Sequence, residues 1–401
     1  MHCTTKLTED LYYVGAGDRR LALFENAYPI LDGVSYNAYL LLDEKTVLLD
    51  TVDRAVSGRL LENLDWLLQE RALDYLVINH MEPDHCAAVG LLLQRWPALE
   101  LWGTPMTLTL LRQFFGFSAD DRFHAVQEGD TLCTGQHTLR FFMAPMVHWP
   151  ETMVTYDETD KTLFSADAFG TFGALSGNLF ADEIGFDNAR MAEARRYYTN
   201  IVGKYGPQVQ NLLKKAAGLD IAMLCPLHGP LWREQLDTLV GKYQLWSTYT
   251  PEEKAPVIFY ASVYGDTENA AELLASRLAE RGVKHIAMYD VSVTHVSRLV
   301  AEAFRCSHLL FAATTYNAGI FPAMEHLLRE LQAHNLQNRV AAIVENGSWA
   351  PTAGNLIRKQ LESMRGITVL ADTVTLKSSV QDAQHAALLA LADQVAEDLA
   401  T

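Results

Sequence analysis

The chain is short of cysteine and of clustered positive charge, and both shortages exclude classes of function. Its five cysteines are widely spaced, with no C-x-x-C pair among them. That pattern argues against a thiolate zinc site, an iron–sulfur cluster, a fused rubredoxin-type module and a disulfide framework. The formal net charge is −17, which argues against a nucleic-acid partner because clustered Lys and Arg bind such polyanions.

Long apolar runs are also missing. No uninterrupted apolar stretch is long enough to cross a bilayer, and the first residues, MHCTTKLTED, contain no signal-peptide hydrophobic segment. Because no disulfide framework is expected either, the sequence favours a protein of the reducing cytoplasm that has no membrane partner.

The length of 401 residues predicts two domains, because single cores seldom grow beyond roughly 250–300 residues. The polar, proline-containing stretch 248–256 (TYTPEEKAP) is typical of a linker. We therefore expect one domain at 1–250 and a second at 251–401.

The first domain combines strand and helix patterns. Alternating β-type runs are joined by apparent hairpin turns at 43–45 and 157–161. Helical periodicity appears at 56–72 and again at 191–219. This mixture predicts a layered α/β sandwich.

The second domain has a more regular pattern, in which strand and helix alternate. A strand at 257–262 is followed by a helix at 268–282, and further strand–helix pairs come after it. Five strands, each followed by a helix, predict a doubly wound parallel five-stranded sheet of order 2-1-3-4-5. Such a sheet binds ligands at the carboxyl ends of its strands.

The segment SVYGDTEN (262–269) lies between the first strand and the first helix of this second domain. The segment predicts an anion site. It offers hydroxyl side chains, Gly265 permits a tight turn, and a helix N-terminus follows, with Thr267 expected near the N-cap. The segment lacks both G-x-G-x-x-G and the Walker GK[ST] motif, so it suits a single phosphate, such as that of FMN. The alternative is a capped turn that binds nothing.

Two further loops favour the flavin. Residues 314–322 follow the third strand and 346–354 follow the fourth, and Tyr316 and Trp349 within them are placed to flank a flavin ring. This domain resembles the flavodoxin family, whose phosphate loop has a similar Ser/Thr-x-Thr/Tyr-Gly-x-Thr pattern. Asp266 stands where many flavodoxins have Asn and would repel a phosphate, so its side chain is given no ligand role. The predicted FMN-contacting positions are Ser262, Val263, Tyr264, Gly265, Asp266, Thr267, Glu268, Asn269, Thr314, Thr315, Tyr316, Asn317, Ala318, Gly319, Asn346, Gly347, Ser348, Trp349 and Ala350.

The first domain concentrates metal-binding side chains in HMEPDH, residues 80–85. Pro83 disfavours a helix, so the segment is expected to be a loop at the end of a strand. Three more candidates stand at predicted strand or loop ends, namely His148, Asp167 and His228. Four histidines and three carboxylates would give each of two metals three terminal ligands and leave one carboxylate to bridge. Each histidine alone would more often be structural, and the chain's other histidines keep that interpretation.

The spacing of this set is specific. The pattern H-x-E-x-D-H, followed at the observed intervals by a histidine, an aspartate and a second histidine, resembles that of the flavodiiron proteins, and the resemblance covers nearly the whole chain. It implies a metallo-β-lactamase-like αββα diiron domain before the flavodoxin-like FMN domain. The implied ligands are His80, Glu82 and His148 for one iron and Asp84, His85 and His228 for the other, with Asp167 and an oxo or hydroxo group as bridges.

The resemblance further implies the reaction and the partners. Members of the family reduce dioxygen to water, nitric oxide to nitrous oxide, or both. A reduced FMN and a diferrous pair would together hold the four electrons that reduction of dioxygen to water requires. The donor would be a separate rubredoxin-like protein, and the two sites would meet in a head-to-tail homodimer or a dimer of dimers. Tyr197 or Tyr198 would donate a proton if either reaches the metals, although packing would also explain both.

Two other functions fit parts of the sequence. A zinc metallohydrolase fused to a flavodoxin-like regulatory module would use the same first fold. Glu82 argues against it, because this hard anionic donor in place of a histidine favours iron or manganese. A non-enzymatic electron carrier or scaffold would not need the complete ligand set. The residues themselves do not distinguish O₂ from NO as the substrate.

Overall fold

The computed structural model describes residues 2–116 and 119–401, and the chain divides into two compact units. The first is Met1–Gln244 and the second is Leu245–Thr401. The division lies within the helix Leu236–Ser247, a few residues before the stretch 248–256. None of the helices in the described ranges is both long and apolar enough to cross a bilayer.

Short strands make up most of the first unit. They are β1 (Thr5–Lys6), β2 (Leu11–Tyr13), β3 (Ala16–Asp18), β4 (Leu23–Phe24), β5 (Tyr28–Pro29), β6 (Val34–Tyr36), β7 (Tyr39–Leu42), β8 (Thr46–Leu49), β9 (Tyr75–Val77), β10 (Glu100–Gly103), β11 (Phe123–Ala125), β12 (Thr131–Cys133), β13 (Thr138–Met143), β14 (Met153–Asp157), β15 (Thr162–Phe164) and β16 (Met223–Cys225). Among the described residues they form two main sheets, of order β1-β2-β7-β8-β9-β10-β11 and β12-β13-β14-β15-β16. Two smaller ladders pair β3 with β6 and β4 with β5.

Apolar side chains from both main sheets meet in one core. Leu41 and Val47 of the first sheet are buried in it together with Leu139 and Phe141 of the second. Burial of such side chains stabilises the unit by roughly 1.5–3 kcal/mol each. The predicted hairpins are present, because β7 pairs antiparallel with β8 and β14 pairs antiparallel with β15. The predicted sandwich is confirmed.

Helices flank these strands. They are α1 (Ser57–Leu68), α2 (Pro83–Cys86), α3 (Val89–Arg95), α4 (Pro105–Phe114), α5 (Asn188–Tyr197), α6 (Gly206–Ala216) and α7 (Leu236–Ser247). The helical periodicity at 191–219 corresponds to two helices, because a π-helical segment, Tyr198–Val202, and a 3₁₀ turn, Gly203–Tyr205, separate α5 from α6. Such π-helical turns are rare and often lie at functional sites.

The loop predicted at residues 80–85 is wrong for its second half. The four-residue helix α2 begins at Pro83. Proline is tolerated at the first helical position, because the N–H that it lacks would have no intrahelical acceptor there. Asp84 and His85 therefore project from one helical turn, whereas His80 and Glu82 precede it.

The second unit alternates strand and helix as predicted. Its strands are β17 (Glu253–Ala261), β18 (Ala287–Asp290), β19 (Cys306–Tyr316), β20 (Gly319–Ile320), β21 (Arg339–Asn346) and β22 (Ile367–Leu376), and its helices are α8 (Asp266–Glu280), α9 (Val296–Arg305), α10 (Pro322–Ala333), α11 (Ala353–Glu362) and α12 (Asp382–Ala400). The main sheet has the order β18-β17-β19-β21-β22 with parallel pairing, which is the predicted 2-1-3-4-5 order. The carboxyl ends of β17, β19 and β21 therefore lie side by side.

Two details at these strand ends differ from the prediction. Helix α8 begins at Asp266, with Gly265 as its N-cap at a φ of 99°, so Thr267 lies within the first turn and not at the cap. The segment after the third strand is a hairpin, in which β20 pairs back on β19. Asn317 and Ala318 form its turn with φ values of 49° and 57°, as a type I′ turn requires.

Candidate metal centre and flavin site

All seven predicted metal ligands meet at one edge of the first unit. They come from the segments that follow β9, β13, β15 and β16: His80, Glu82, Asp84, His85, His148, Asp167 and His228. Their ligand atoms fall into two groups, and within each group all atoms lie within 4.8 Å of one another.

The segment after β9 is held by the residues that follow β8. The Asp50 carboxylate accepts hydrogen bonds from the Asn79 N–H and side-chain amide, at 2.7 Å each, and from the His80 N–H at 3.1 Å. The Thr51 hydroxyl and N–H both donate to the His85 carbonyl at 2.8 Å. Burial raises the pKa of Asp50 to about 6 in spite of these donors. Sequence reasoning missed both residues, although an Asp-Thr pair directly after an apolar strand is a recognisable signal.

The first ligand group, subsite 1, contains His80, Glu82, His148 and one oxygen of Asp167. Glu82 Oε2 lies 3.1 Å from His80 Nε2 and 3.0 Å from His148 Nε2. Asp167 Oδ2 lies 3.1 Å from His148 Nε2 and 3.6 Å from His80 Nε2. Four potential ligand atoms thus surround one small space.

The second ligand group, subsite 2, contains Asp84, His85 and His228. The Nε2 atoms of the two histidines lie 3.0 Å apart, and Asp84 Oδ2 lies 3.4 Å from that of His85 and 3.3 Å from that of His228. The other oxygen of Asp167, Oδ1, lies 3.2 Å from His85 Nε2 and 3.7 Å from His228 Nε2. Asp167 therefore presents one carboxylate oxygen to each subsite.

This geometry fits two cations. Nitrogen and oxygen ligands bind first-row metals at about 2.0–2.2 Å, so two ligands of one metal lie roughly 3–3.5 Å apart, close to the distances within each subsite. Asp84 Oδ1 and Asp167 Oδ1 are buried and accept no hydrogen bond from the described part of the chain. The facing Nε2 atoms of His85 and His228 share at most one proton between them. A cation in each subsite satisfies these atoms together.

The charges within the cluster depend strongly on one another. Burial opposes ionisation of Asp167, but the His85 and His80 imidazoles outweigh it and hold the Asp167 pKa well below its usual range. Burial likewise opposes protonation of His148, yet hydrogen bonds to Asp167 and Glu82 raise its pKa to about 9. Protons thus compete with cations for these imidazoles, so metal binding releases protons and weakens as the pH falls.

The outward nitrogens of the histidines have unequal partners. His80 Nδ1 donates to the buried Glu151 carboxylate at 2.9 Å, whereas His228 Nδ1 donates to the Ser35 carbonyl at 2.8 Å. His85 Nδ1 is buried and has no hydrogen-bond partner among the described residues. A carboxylate partner orients a metal-binding imidazole and raises its basicity, so His80 is the best supported ligand. Sequence reasoning missed Glu151.

Aromatic rings enclose subsite 2. The rings of Phe24, Tyr36 and Tyr197 lie 5.2, 5.6 and 5.6 Å from the His228 ring, measured between centroids. All three are buried, so they exclude water from this side of the cluster and strengthen the electrostatic interactions within it.

The two tyrosines singled out in the sequence have different surroundings. The Tyr197 hydroxyl is buried without a hydrogen-bond partner in the described structure. Burial and the charge of Asp167 keep its pKa well above the usual value, so the phenol retains its proton beside the cluster. The Tyr198 ring instead packs edge-on against that of Tyr243, at 4.9 Å.

Glu25, which belongs to no recognised sequence motif, lies at the rim of the metal-ligand cluster. Glu25 and Asn26 lie in the three-residue turn of the β4–β5 hairpin with φ values of 49° and 55°, where a long side chain is uncommon. Although Glu25 is exposed to solvent, desolvation and the charges of Glu82 and Asp167 raise its pKa to about 8 when the cluster holds no cation. Cations bound to those carboxylates would lower this pKa.

The predicted phosphate loop is braced by hydrogen bonds. The Gly265 N–H donates to Ser262 Oγ at 3.0 Å. The Thr267 hydroxyl bonds to that of Thr314 at 2.8 Å and accepts from the Asn346 amide at 3.2 Å. These contacts join the ends of β17, β19 and β21 beside the N-terminus of α8, where a phosphate is favoured.

Large aromatic side chains stand exposed around this loop. Tyr264 is 94% exposed and Trp349 is 91% exposed, and Tyr316 is 45% exposed. Exposed apolar clusters mark binding sites, and stacking on a flavin ring would cover these rings. The Glu268 carboxylate, which was included among the predicted contacts, accepts from the Tyr260 hydroxyl at 3.1 Å.

A third group of possible ligands has a structural explanation. His137, Asp157 and Asp160 lie close enough together to hold a cation. However, His137 Nδ1 donates to Asp157 at 2.8 Å and its Nε2 lies 3.5 Å from Asp10. Both ring nitrogens are thus engaged, which agrees with the structural role expected for this histidine.

Comparisons with known proteins match both units. The ODP family beta lactamase model matches residues 34–229 and the flavodoxin model matches residues 258–389. Rubredoxin-oxygen oxidoreductase of Megalodesulfovibrio gigas is 30% identical over 399 residues, which cover 98% of each chain. The anaerobic nitric oxide reductase flavorubredoxin of Aeromonas hydrophila is 31% identical over 358 residues, 88% of this chain and 71% of its own length. The solved structure of rubredoxin oxygen:oxidoreductase from Desulfovibrio gigas has a TM-score of 0.93 at 29% identity and 99% coverage of both chains.

Replacement of Glu151 by Gln removes the carboxylate charge behind His80 and keeps an oxygen acceptor. We expect cobalt(II) to bind subsite 1 about 10- to 100-fold more weakly, because outer partners of ligating histidines have effects of that size. Anaerobic titration of the metal-free protein, followed by cobalt(II) ligand-field absorption, measures this affinity. Glu158→Gln, which removes a carboxylate paired with Arg140, is the control. Equal affinities in all three proteins would contradict the assignment.

Proposed function

The chain belongs to the flavodiiron protein family, and from this premise we propose that it reduces dioxygen to water, nitric oxide to nitrous oxide, or both. The observation that carries the proposal is the position of Asp167, whose two oxygens face two ligand groups. The same chain contains a flavodoxin unit, which a hydrolase does not need. Iron and FMN are the cofactors that this combination implies.

We assign the ligands as two sets that share Asp167. They are His80, Glu82 and His148 for one iron and Asp84, His85 and His228 for the other. When bound, the iron pair and the FMN supply the electrons for the reaction. Glu82 is the residue that favours iron over zinc, because a hard anionic oxygen stabilises the ferric product state better than an imidazole does.

The chain itself supplies protons and a dry surface. Both reactions consume protons, and the Tyr197 phenol, which keeps its proton at neutral pH, lies beside the cluster. The rings of Phe24 and Tyr36 shield subsite 2 from water. The exposed Tyr264, Tyr316 and Trp349 would cover the flavin.

The electron donor and the assembly complete the proposal. A separate rubredoxin-like protein would reduce the FMN, and the FMN of one subunit would serve the irons of its partner in a head-to-tail homodimer, alone or within a dimer of dimers. None of the five cysteines, which all lie in the described ranges, forms a disulfide, and this supports a location in the reducing cytoplasm.

Rapid mixing tests the reaction directly. The reduced, iron-replete protein is mixed anaerobically with O₂ and with NO in separate stopped-flow experiments, and flavin absorbance is followed. We expect reoxidation by at least one gas, slowed by about 100-fold or more in His148→Ala because loss of a ligand exceeds loss of an outer partner. His326→Ala, in an exposed histidine of α10, should react normally. Failure of both gases to oxidise the flavin would reject the proposal.

Replacement of Glu82 by His tests the metal preference. We expect the variant to take up zinc in preference to iron from a medium containing both, and to lose the reductase activity, because its site becomes rich in imidazole. Elemental analysis and the stopped-flow assay measure the two effects. A variant that keeps its iron and its turnover would show that Glu82 does not set the metal. Wild-type protein that contains zinc alone and hydrolyses thioesters or phosphodiesters would favour a metallohydrolase instead.

Sedimentation velocity tests the assembly. We expect a dimer or a dimer of dimers at the concentrations used for turnover, because electrons would have to pass between two subunits. Activity per chain should then fall when the protein is diluted below the dimer dissociation constant. A monomer with full turnover at matched concentration would exclude the head-to-tail arrangement.

A further inference from the structure

A cavity of about 350 Å³ in the first unit is lined by positive side chains that the proposed reaction does not use. Its walls include Gly17, Asp18, Arg19, Arg20, Val56 and Arg59, and we call it the arginine cavity. Three arginines that line one small cavity are unusual in a chain whose net charge is −17, because its 49 acidic residues outnumber its 32 lysines and arginines.

None of the three arginines is neutralised. In the described part of the chain, Arg19, Arg20 and Arg59 form no ion pair with a carboxylate, and neither does the neighbouring Arg54, whereas many other arginines do. The one carboxylate that lines the cavity, that of Asp18, forms no ion pair with these arginines either. Asp18 Oδ1 accepts from the N–H groups of Arg20 and Leu21, at 2.8 and 3.3 Å.

Two of the guanidinium groups are already held in place. One terminal nitrogen of Arg19 donates to the Leu175 carbonyl at 2.5 Å and to the Ser176 hydroxyl at 3.0 Å. Arg59 donates through one terminal nitrogen to the Gly17 carbonyl at 3.0 Å. Each keeps further N–H groups for a ligand, and these bonds reduce the rotamer entropy that the side chain would lose on binding.

We propose that the arginine cavity binds the phosphate group of a small molecule. Guanidinium groups match the oxygens of a phosphate in paired hydrogen bonds, and the volume suits a compact ligand. The phosphate can come from free inorganic phosphate or from a phosphate ester, which present the same oxygens to the arginines.

Isothermal titration calorimetry on the protein loaded with FMN and iron tests the proposal, because FMN fills the other phosphate loop. The probes are inorganic phosphate and ribose 5-phosphate. We expect saturable binding that weakens with added salt. Binding should be at least about 10-fold weaker in Arg19→Gln/Arg59→Gln, since each variant position loses charge-assisted hydrogen bonds. Equal affinity for the two probes identifies phosphate alone as the ligand, and tighter binding of the ester identifies a phosphorylated metabolite.

Matched variants keep the result decisive. Arg20→Gln removes a cavity charge whose guanidinium makes no hydrogen bond within the described structure, so it should weaken binding without disturbing the fold. Arg365→Gln removes an exposed arginine of the second unit and should bind both probes like the wild type. The proposal is overturned if neither probe binds saturably, or if the cavity variants bind as tightly as Arg365→Gln.

Discussion

The first unit is organised around a negative charge that cannot be left alone. Asp167 is 1% exposed, and an isolated carboxylate at that depth would be destabilising by several kcal/mol. Four imidazoles approach its two oxygens, those of His80 and His148 on one side and those of His85 and His228 on the other. Protons on the imidazoles balance the charge only in part. The facing Nε2 atoms of His85 and His228 cannot both hold a proton, and Glu82, Asp84 and Glu151 add three more carboxylates. Cations are the partners that balance the whole set.

The fold brings such groups together by a rule that applies to both units. The segment after β9 leaves the first sheet, where β9 is parallel to β8, and the segments after β15 and β16 leave the second sheet, where those two strands are parallel. Residues far apart in the chain thereby become neighbours. In the second unit the segments after β17, β19 and β21 do the same for the flavin loops. Strand ends are suited to this role because the sheet fixes the backbone while the side chains beyond it remain free to bind.

The metal ligands and the strand order of the second unit could be predicted from the sequence, but the residues that hold those ligands in place could not. His148, Asp167 and His228 could be found because metal-binding residue types stand at strand ends. Glu151 could not, since its role depends on a contact with His80, 71 positions away. Glu25 sits in a turn without a motif. The break after Tyr197 was missed for a different reason, because a single π-helical turn hardly alters hydrophobic periodicity. Proline breaks a helix when it lies inside one, but it is favoured at the first helical position, which Pro83 occupies in α2.

The two subsites are chemically unequal although their ligands look alike. Subsite 1 has two carboxylates in contact with its imidazoles and a third, Glu151, behind His80. Subsite 2 has only a carbonyl behind His228 and no partner for His85 Nδ1 within the described chain, and aromatic rings surround it. More anionic charge stabilises a higher oxidation state, and a drier surface with neutral partners stabilises a lower one. Two irons bound here would therefore differ in potential, with the iron of subsite 1 the easier to oxidise, and the carboxylate of Asp167 would connect two inequivalent ions.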